Sequence, residues 1–268
     1  MSTRAQQYAA TVLRREQLSE HLVRLELGGP GLAGWRSTDV PDEWVALVVP
    51  GQFQSRYYTV REHGPARLVV DVVVHEEGLV TEWARRDCVG ETVTVSEPKA
   101  SFALPAEAAW LLLVGDLTAL PAIARITETV AAARPEVAVR SWVEVSDDPA
   151  AFAAYLPAGA DVRWSPPPAD APSALADVVE AIEWPAGEGY FWMAGESAQM
   201  RAIRKHLMRE RGLPSAAYDV MGYWRGGAKR QPRAVDPGPI WRAGKAAGHT
   251  DEQIWAAYDA AREQQEQR

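Results

Sequence analysis

The pattern of apolar and polar positions changes character near residue 108. Before it, short β-prone runs alternate apolar with polar side chains and are separated by Gly, Pro and Asp: residues 8–13, 21–27, 44–49, 55–60, 67–75 and 91–95. Alternation places every second side chain on one face, and closely spaced strands of this kind predict a small antiparallel barrel. Between the fifth and sixth runs, 78–86 reads as a short helix with Gly78 and Thr81 at or near its start.

From residue 109 the apolar positions run together. Trp110-Leu111-Leu112-Leu113-Val114 has the continuous apolar character of a strand buried on both faces. Gly115-Asp116 follows, then a helix with apolar positions at Leu120, Ile123, Ile126 and Val130 and with Pro121 in its first turn. Strand, glycine turn and helix open a nucleotide-binding α/β unit. Further strands are predicted over 137–145, 161–164, 190–193 and 218–224, and helices over 149–155, 173–182 and 198–211, with a Pro-rich loop at 166–172. Ser197 is the expected N-cap of the 198–211 helix, and Gly212 and Pro214 end it. Residues 228–248 read as irregular. Thr250-Asp251-Glu252-Gln253 reads as a capping box opening a last helix to about 265, docked through Ile254, Tyr258 and Ala261. The expected architecture is an antiparallel β-barrel domain (1–107), an α/β parallel-sheet nucleotide-binding domain (108–233), and a basic linker with a C-terminal helix (234–268).

Composition narrows the partners. A length of 268 residues suits two domains. No apolar run approaches the roughly 18 residues of a membrane span, residues 1–7 lack a secretory pattern, and the single cysteine, Cys88, has no internal partner. These features predict a cytoplasmic protein that engages no membrane, expected as a monomer. A net charge of −8 argues against general nucleic-acid binding. The segment 224–245 departs from that balance, with Arg225, Lys229, Arg230, Arg233, Arg242 and Lys245 against Asp236 alone. The histidines are scattered without paired metal-ligand spacing, so no metal site is expected.

The candidate chemistry begins at Arg56-Tyr57-Tyr58-Thr59. Two residues apart on a strand, Arg56 and Tyr58 share a face. A guanidinium can fork onto a pyrophosphate, a phenol ring can stack on an isoalloxazine, and Thr59 can place a hydroxyl beside the flavin nitrogen that accepts hydride. Alone, the same four residues also describe an ordinary amphipathic strand. The start of the 78–86 helix offers free N–H groups and a positive dipole end to phosphate, or is a plain connector across a barrel mouth. Gly115-Asp116 and Gly195-Glu196 end two buried strands on the rim where parallel sheets bind ligands, although the GxGxxG fingerprint is missing. Glu144 is either a ribose acceptor favouring NADH over NADPH or a surface acid.

Five segments in this order resemble the ferredoxin–NADP reductase superfamily, and within it the siderophore-interacting proteins. They are Arg56-Tyr57-Tyr58-Thr59, Asp71-Val72-Val73-Val74-His75, the stretch from Gly115 to Ile123, Ala194-Gly195-Glu196-Ser197, and Gly222-Tyr223-Trp224-Arg225. The resemblance implies FAD on the barrel. Arg56 would hold the pyrophosphate, Tyr58 the ring and Thr59 its N5 side, with Tyr57, Val73 and Val80 beside them. His75, Gly78 and Thr81 would hold the phosphates and ribityl chain. Gly115, Asp116, Thr118, Ala119, Gly195 and Glu196 would line the nicotinamide site, and Tyr223 and Trp224 the flavin edge. Tyr58, Thr59 and Glu196 are the implied catalytic residues. Lys99, Arg225, Lys229 and Arg230 are implied to face the substrate, a ferric siderophore.

The implied reaction carries electrons from NADH or NADPH through FAD to that chelate, releasing Fe(II) for iron acquisition, with ferredoxin as an alternative donor. An NAD(P)H:flavin oxidoreductase serving a partner oxygenase, and a non-catalytic flavin- or siderophore-binding module, are the rival readings. Three positions depart from the family pattern: the Gly78–Thr81 loop is less small-sided, Lys99 stands where an arginine is usual, and Ala46 stands where a lysine is common.

Overall fold

Six strands close the first part of the chain into a barrel. They are β1 (Gln7–Gln17), β2 (Leu22–Gly28), β3 (Trp44–Val48), β4 (Arg56–Gly64), β5 (Arg67–Val73) and β6 (Thr92–Ser96). All neighbours are antiparallel in the order β1-β2-β5-β4-β3-β6, and β6 returns to pair with β1. The computed structural model describes residues 6–52, 55–75, 78–226, 237–249, 253–254 and 257.

Alternate residues fill the barrel: Leu25, Leu27, Val45, Leu47, Leu68, Val70, Val93 and Val95 are buried in one cluster. Helix α1 (Leu79–Arg85) adds Trp83 and Ala84 to that cluster. A register shift between Val60 and Glu62 interrupts the β4–β5 ladder. Such a bulge re-aims the side chain at the irregularity, and here Arg61 reaches Glu128 at 2.5 and 2.8 Å.

The second part is a five-stranded parallel sheet of β7 (Trp110–Asp116), β8 (Ala138–Glu144), β9 (Asp161–Ser165), β10 (Gly189–Glu196) and β11 (Tyr218–Trp224), ordered β11-β10-β7-β8-β9. Strand β7 is buried along its whole length. Its Leu111 and Leu113 pack with α2 (Leu120–Ala133), while Leu112 and Val114 face α3 (Leu175–Ala181) and α4 (Ser197–Lys205). The two-sided burial read from the apolar run follows from this layering.

Four expectations are corrected here. The 149–155 helix is a single 3-10 turn over Pro149–Phe152. The 198–211 helix ends as α4 at Lys205 and continues as a π-turn, His206–Glu210. Its N-cap is Glu196, not Ser197: the carboxylate accepts from the Ala198 and Gln199 amides at 2.7 and 3.2 Å. Residues 237–246, expected to be irregular, form α5 (Pro237–Ala246). Proline suits a first helical turn because its missing N–H has no partner to lose there.

Residues 227–268 cluster as a compact unit separate from 1–226. Within it Ile254 is buried against Gly244, where an added Cβ would fall 2.5 Å from Ile254 Cγ1. Lys229, Arg230, Tyr258, Ala261 and the Thr250–Glu252 capping residues lie outside the described residues. No helix among the described residues is long and apolar enough to cross a membrane, and no cluster among them could hold a metal ion.

Barrel and sheet are joined through buried polar ties as well as apolar contact. Arg125 of α2 reaches the wholly buried Glu43 at 2.8 Å and donates to the Val60 carbonyl of β4 at 2.8 Å. Burial works against the Glu43 charge, but hydrogen bonds from Ser37 and Thr38 and the Arg125 charge hold it below the ordinary carboxylate range. Asp42 accepts from Ser101 N and Phe102 N, at 3.1 and 2.9 Å, and from the Trp192 indole at 3.4 Å. Tyr155 donates to Asp71, which also takes both arms of Arg24 at 2.8 Å.

Candidate active site

On β4, Arg56 and Tyr58 point the same way, and Tyr57, 64% exposed, points opposite. Among the described residues Arg56 has no acidic partner; its guanidinium bonds only the Ser55 carbonyl, at 3.2 Å. Tyr58 is half-buried and packs on the barrel core, and burial pushes its phenol well above the ordinary range. Thr59 is 4% exposed, and the only polar group its hydroxyl meets is the Tyr223 hydroxyl, without well-formed hydrogen-bond geometry. The nearby hydroxyl of Tyr223 is in the same condition. Buried hydroxyls are normally satisfied; this pair has only its own mutual contact, on the strand face opposite Arg56 and Tyr58.

Gly78 opens α1 with φ +137°, a conformation natural only to glycine. Thr81 accepts from the His75 amide at 3.1 Å, tying the end of β5 to the helix start. Val80 is buried in the barrel core, and Val73 packs toward the sheet, so neither offers more than backbone or an apolar wall. The His75 ring keeps an exposed side and lies 6.0 Å from Trp224 at 34°. Packing on its inner side, then the charges of His21 and Arg85, push it below the ordinary imidazole range.

The sheet rim brings the second group together. Gly115 pairs opposite Ala194, Asp116 opposite Glu144, and Glu196 opposite Trp224. A Cβ on Gly115 would stand 2.4 Å from Ala119 Cβ and 2.8 Å from the Ala194 carbonyl, so the turn admits only glycine. Asp116 accepts from the Thr118 amide and hydroxyl at 2.9 and 2.5 Å, and from the Trp224 indole at 2.6 Å. Glu196 is wholly buried, and its two oxygens accept from Ala198, Gln199 and Gly226 amides. Ser197 donates to the Trp224 carbonyl at 2.6 Å. Glu144 turns its carboxylate to the Ala174 amide at 2.9 Å rather than to the rim. Lys99 and Arg225 are exposed, and the Lys99 backbone pairs with Trp44.

Burial raises the Asp116 carboxyl above its ordinary range. A raised folded value means that its contribution to stability is present at low pH and falls as pH rises through the folded value. Because the Trp224 indole N–H bonds this carboxylate, its ¹⁵N-resolved resonance is expected to titrate with a midpoint above that of an ordinary aspartate. Asp116→Asn removes that titration; an indole signal indifferent to pH in the wild type contradicts the assignment.

The sequence bears the same relation to known proteins. The family model described as "Siderophore-interacting FAD-binding domain" matches residues 52–102, and the one described as "Siderophore-interacting protein" matches residues 108–227. The chain belongs to the siderophore-interacting protein family. This siderophore-interacting protein is similar to the crystal structure of a siderophore utilization protein from T. fusca, at 29% identity and a TM-score of 0.71, over 87% of this chain and 98% of that one. It is 25% identical to the NADPH-dependent ferric-chelate reductase of Escherichia coli, over 80% of this chain and 91% of its relative. It is equally 25% identical to the ferric vibriobactin reductase ViuB of Vibrio cholerae, over 82% and 89%.

FAD is therefore the cofactor of the barrel, and the residues present fit it. Among the described residues Arg56 lacks an acidic partner, the buried Thr59 hydroxyl has only the Tyr223 hydroxyl beside it, and the Gly78 turn carries no side chain at the start of α1. Sequence reasoning missed Asp42, Glu43 and Arg125, which fix the barrel against the sheet. Adjacent acids before an apolar strand were the only signal, and acids there ordinarily face solvent.

Proposed function

We propose that this protein is an FAD-dependent ferric-siderophore reductase that takes its electrons from NADH or NADPH. The observation that carries the reading is the Arg56 guanidinium, without an acidic partner among the described residues, on the same strand face as the half-buried Tyr58 ring. The family assignment and the relatives named as ferric-chelate and ferric vibriobactin reductases support it.

In this reading Arg56 forks onto the FAD pyrophosphate, and the Tyr58 ring stacks on the isoalloxazine. Thr59 donates its hydroxyl proton in a hydrogen bond at the ring's N5 side. The α1 amides behind Gly78 face phosphate. Bound FAD supplies the conversion between hydride equivalents received and single electrons delivered. Gly115 and Gly195 leave the rim open for a nicotinamide, while Glu196 acts through the backbone it fixes. Asp116 fixes the Trp224 indole at the carboxyl end of the sheet. The exposed cations Lys99 and Arg225 attract an anionic ferric chelate at long range.

Purified protein loaded with FAD tests the first half of the chain of events. Its flavin absorbance is expected to bleach when NADH or NADPH is added without oxygen. Retained colour with both coenzymes overturns the reductase reading and leaves a flavin-binding module.

A further inference from the structure

A cleft of about 290 Å³ opens where β8 and β9 end, lined by Ser146, Asp147, Asp148, Trp164, Ser165 and Pro166 among others. The nicotinamide rim lies between β7 and β10, where the strand order reverses. Neighbouring strands lie about 4.8 Å apart, so the cleft is displaced from that rim by two strand spacings, about 10 Å, along the same carboxyl edge. In an open parallel sheet ligands bind outside the carboxyl ends of the strands, and a dinucleotide with one half at the rim carries its other half along this edge.

The lining favours one kind of adenosine. Trp164, half-buried and stacked on Phe152 at 5.6 Å, supplies an aromatic wall. Its charged groups are Asp147 and Asp148, and none of its described lining residues is Lys or Arg. Asp147 bonds the His21 amide at 3.0 Å and the His21 ring at 2.6 Å. Burial works against its charge, while the polar groups of the Ser19–His21 turn hold it below the ordinary carboxylate range. Asp148 is exposed and caps the 3-10 turn through the Ala150 amide at 2.9 Å. A ribose diol can donate to such carboxylates. The His21 ring already answers Asp147, so a 2′-phosphate here meets the exposed Asp148 carboxylate as like charge, and none of the lining residues is Lys or Arg.

Resting on the reductase reading above, we infer that this cleft is the adenosine site of the coenzyme and selects NADH over NADPH, with Asp148 the residue that rejects a 2′-phosphate. Each like-charge pair at contact range costs a factor of about five even in bulk water. The expected kcat/KM for flavin reduction therefore favours NADH on the order of tenfold or more.

The test pairs that assay with calorimetric binding of ADP-ribose and 2′-phospho-ADP-ribose to the FAD-loaded protein. Wild type is expected to bind the first more tightly by a similar factor. Asp148→Arg is expected to raise kcat/KM for NADPH and lower it for NADH, and Ser146→Arg, which removes no cap, to raise NADPH use without needing the Asp148 site. Preference for NADPH in the wild type, or an unchanged coenzyme ratio in both variants, overturns the inference. A variant that weakens FAD binding while leaving the coenzyme ratio alone also overturns it, and gives the cleft to the flavin's own adenosine. Selective ADP-ribose binding without any flavin bleaching sustains the cleft assignment and removes the reductase reading instead.

Discussion

Replacing Arg125 with alanine is expected to destabilise the protein by about 3–5 kcal/mol, the range for breaking a buried ion pair by removing one partner. Glu43 would then lie wholly buried with only Ser37 and Thr38 to answer its charge, and the Val60 carbonyl would lose its donor. For a chain of this size that loss lowers Tm by on the order of 10 °C. Glu43→Gln together with Arg125→Met is expected to recover most of it, because removing both charges leaves no uncompensated ion. The pH dependence has a definite sign. The folded value of Glu43 is depressed, so its contribution is present at neutral pH and lost as pH falls through that value. The gap between wild type and Arg125→Ala should therefore narrow in acid. Denaturant unfolding at neutral and acid pH checks both statements, and a neutral-pH difference below about 1 kcal/mol would show that the tie contributes little.

The second large effect is on flavin affinity. Arg56→Ala is expected to weaken FAD binding by about 10- to 100-fold, since a hydrogen bond to a charged group is worth about 1.5–3 kcal/mol. Arg56→Lys keeps the charge but not the planar fork and should fall between wild type and alanine. Tyr58→Phe should bind nearly as well as wild type, while Tyr58→Ala loses the aromatic contact, worth about 0.5–1.5 kcal/mol. Among the described residues Arg56 bonds only its neighbour's carbonyl, so the two Arg56 variants should retain the wild-type circular dichroism spectrum and unfolding midpoint. Fluorescence titration of apo-protein with FAD measures the series. Equal affinities for Arg56→Ala and wild type would remove the guanidinium from the flavin site.

Period-two alternation over 8–95 and the apolar run at 110–114 gave the barrel and the parallel sheet directly, because each burial pattern has one architecture that satisfies it. The Arg56–Tyr58 face was legible for the same reason: strand geometry alone decides which side chains point together. What escaped the sequence depended on partners distant along the chain. Glu196 caps α4 because the strand delivers its carboxylate to the Ala198 amide, displacing the expected Ser197, whose hydroxyl goes to Trp224. Glu144 looked available to a ribose, but the 173–174 backbone returns over the sheet to take it. Asp42, Glu43 and Arg125 carry ordinary surface chemistry, and only packing α2 against β4 makes them buried partners.

The most direct test of the whole account is anaerobic. Protein holding FAD is reduced with a coenzyme, freed of the excess, and mixed with a ferric siderophore in the presence of a ferrous chelator. Flavin colour is expected to return, and two equivalents of trapped Fe(II) to appear for each reduced flavin. A flavin that stays bleached beside catecholate, hydroxamate and carboxylate chelates alike would contradict it.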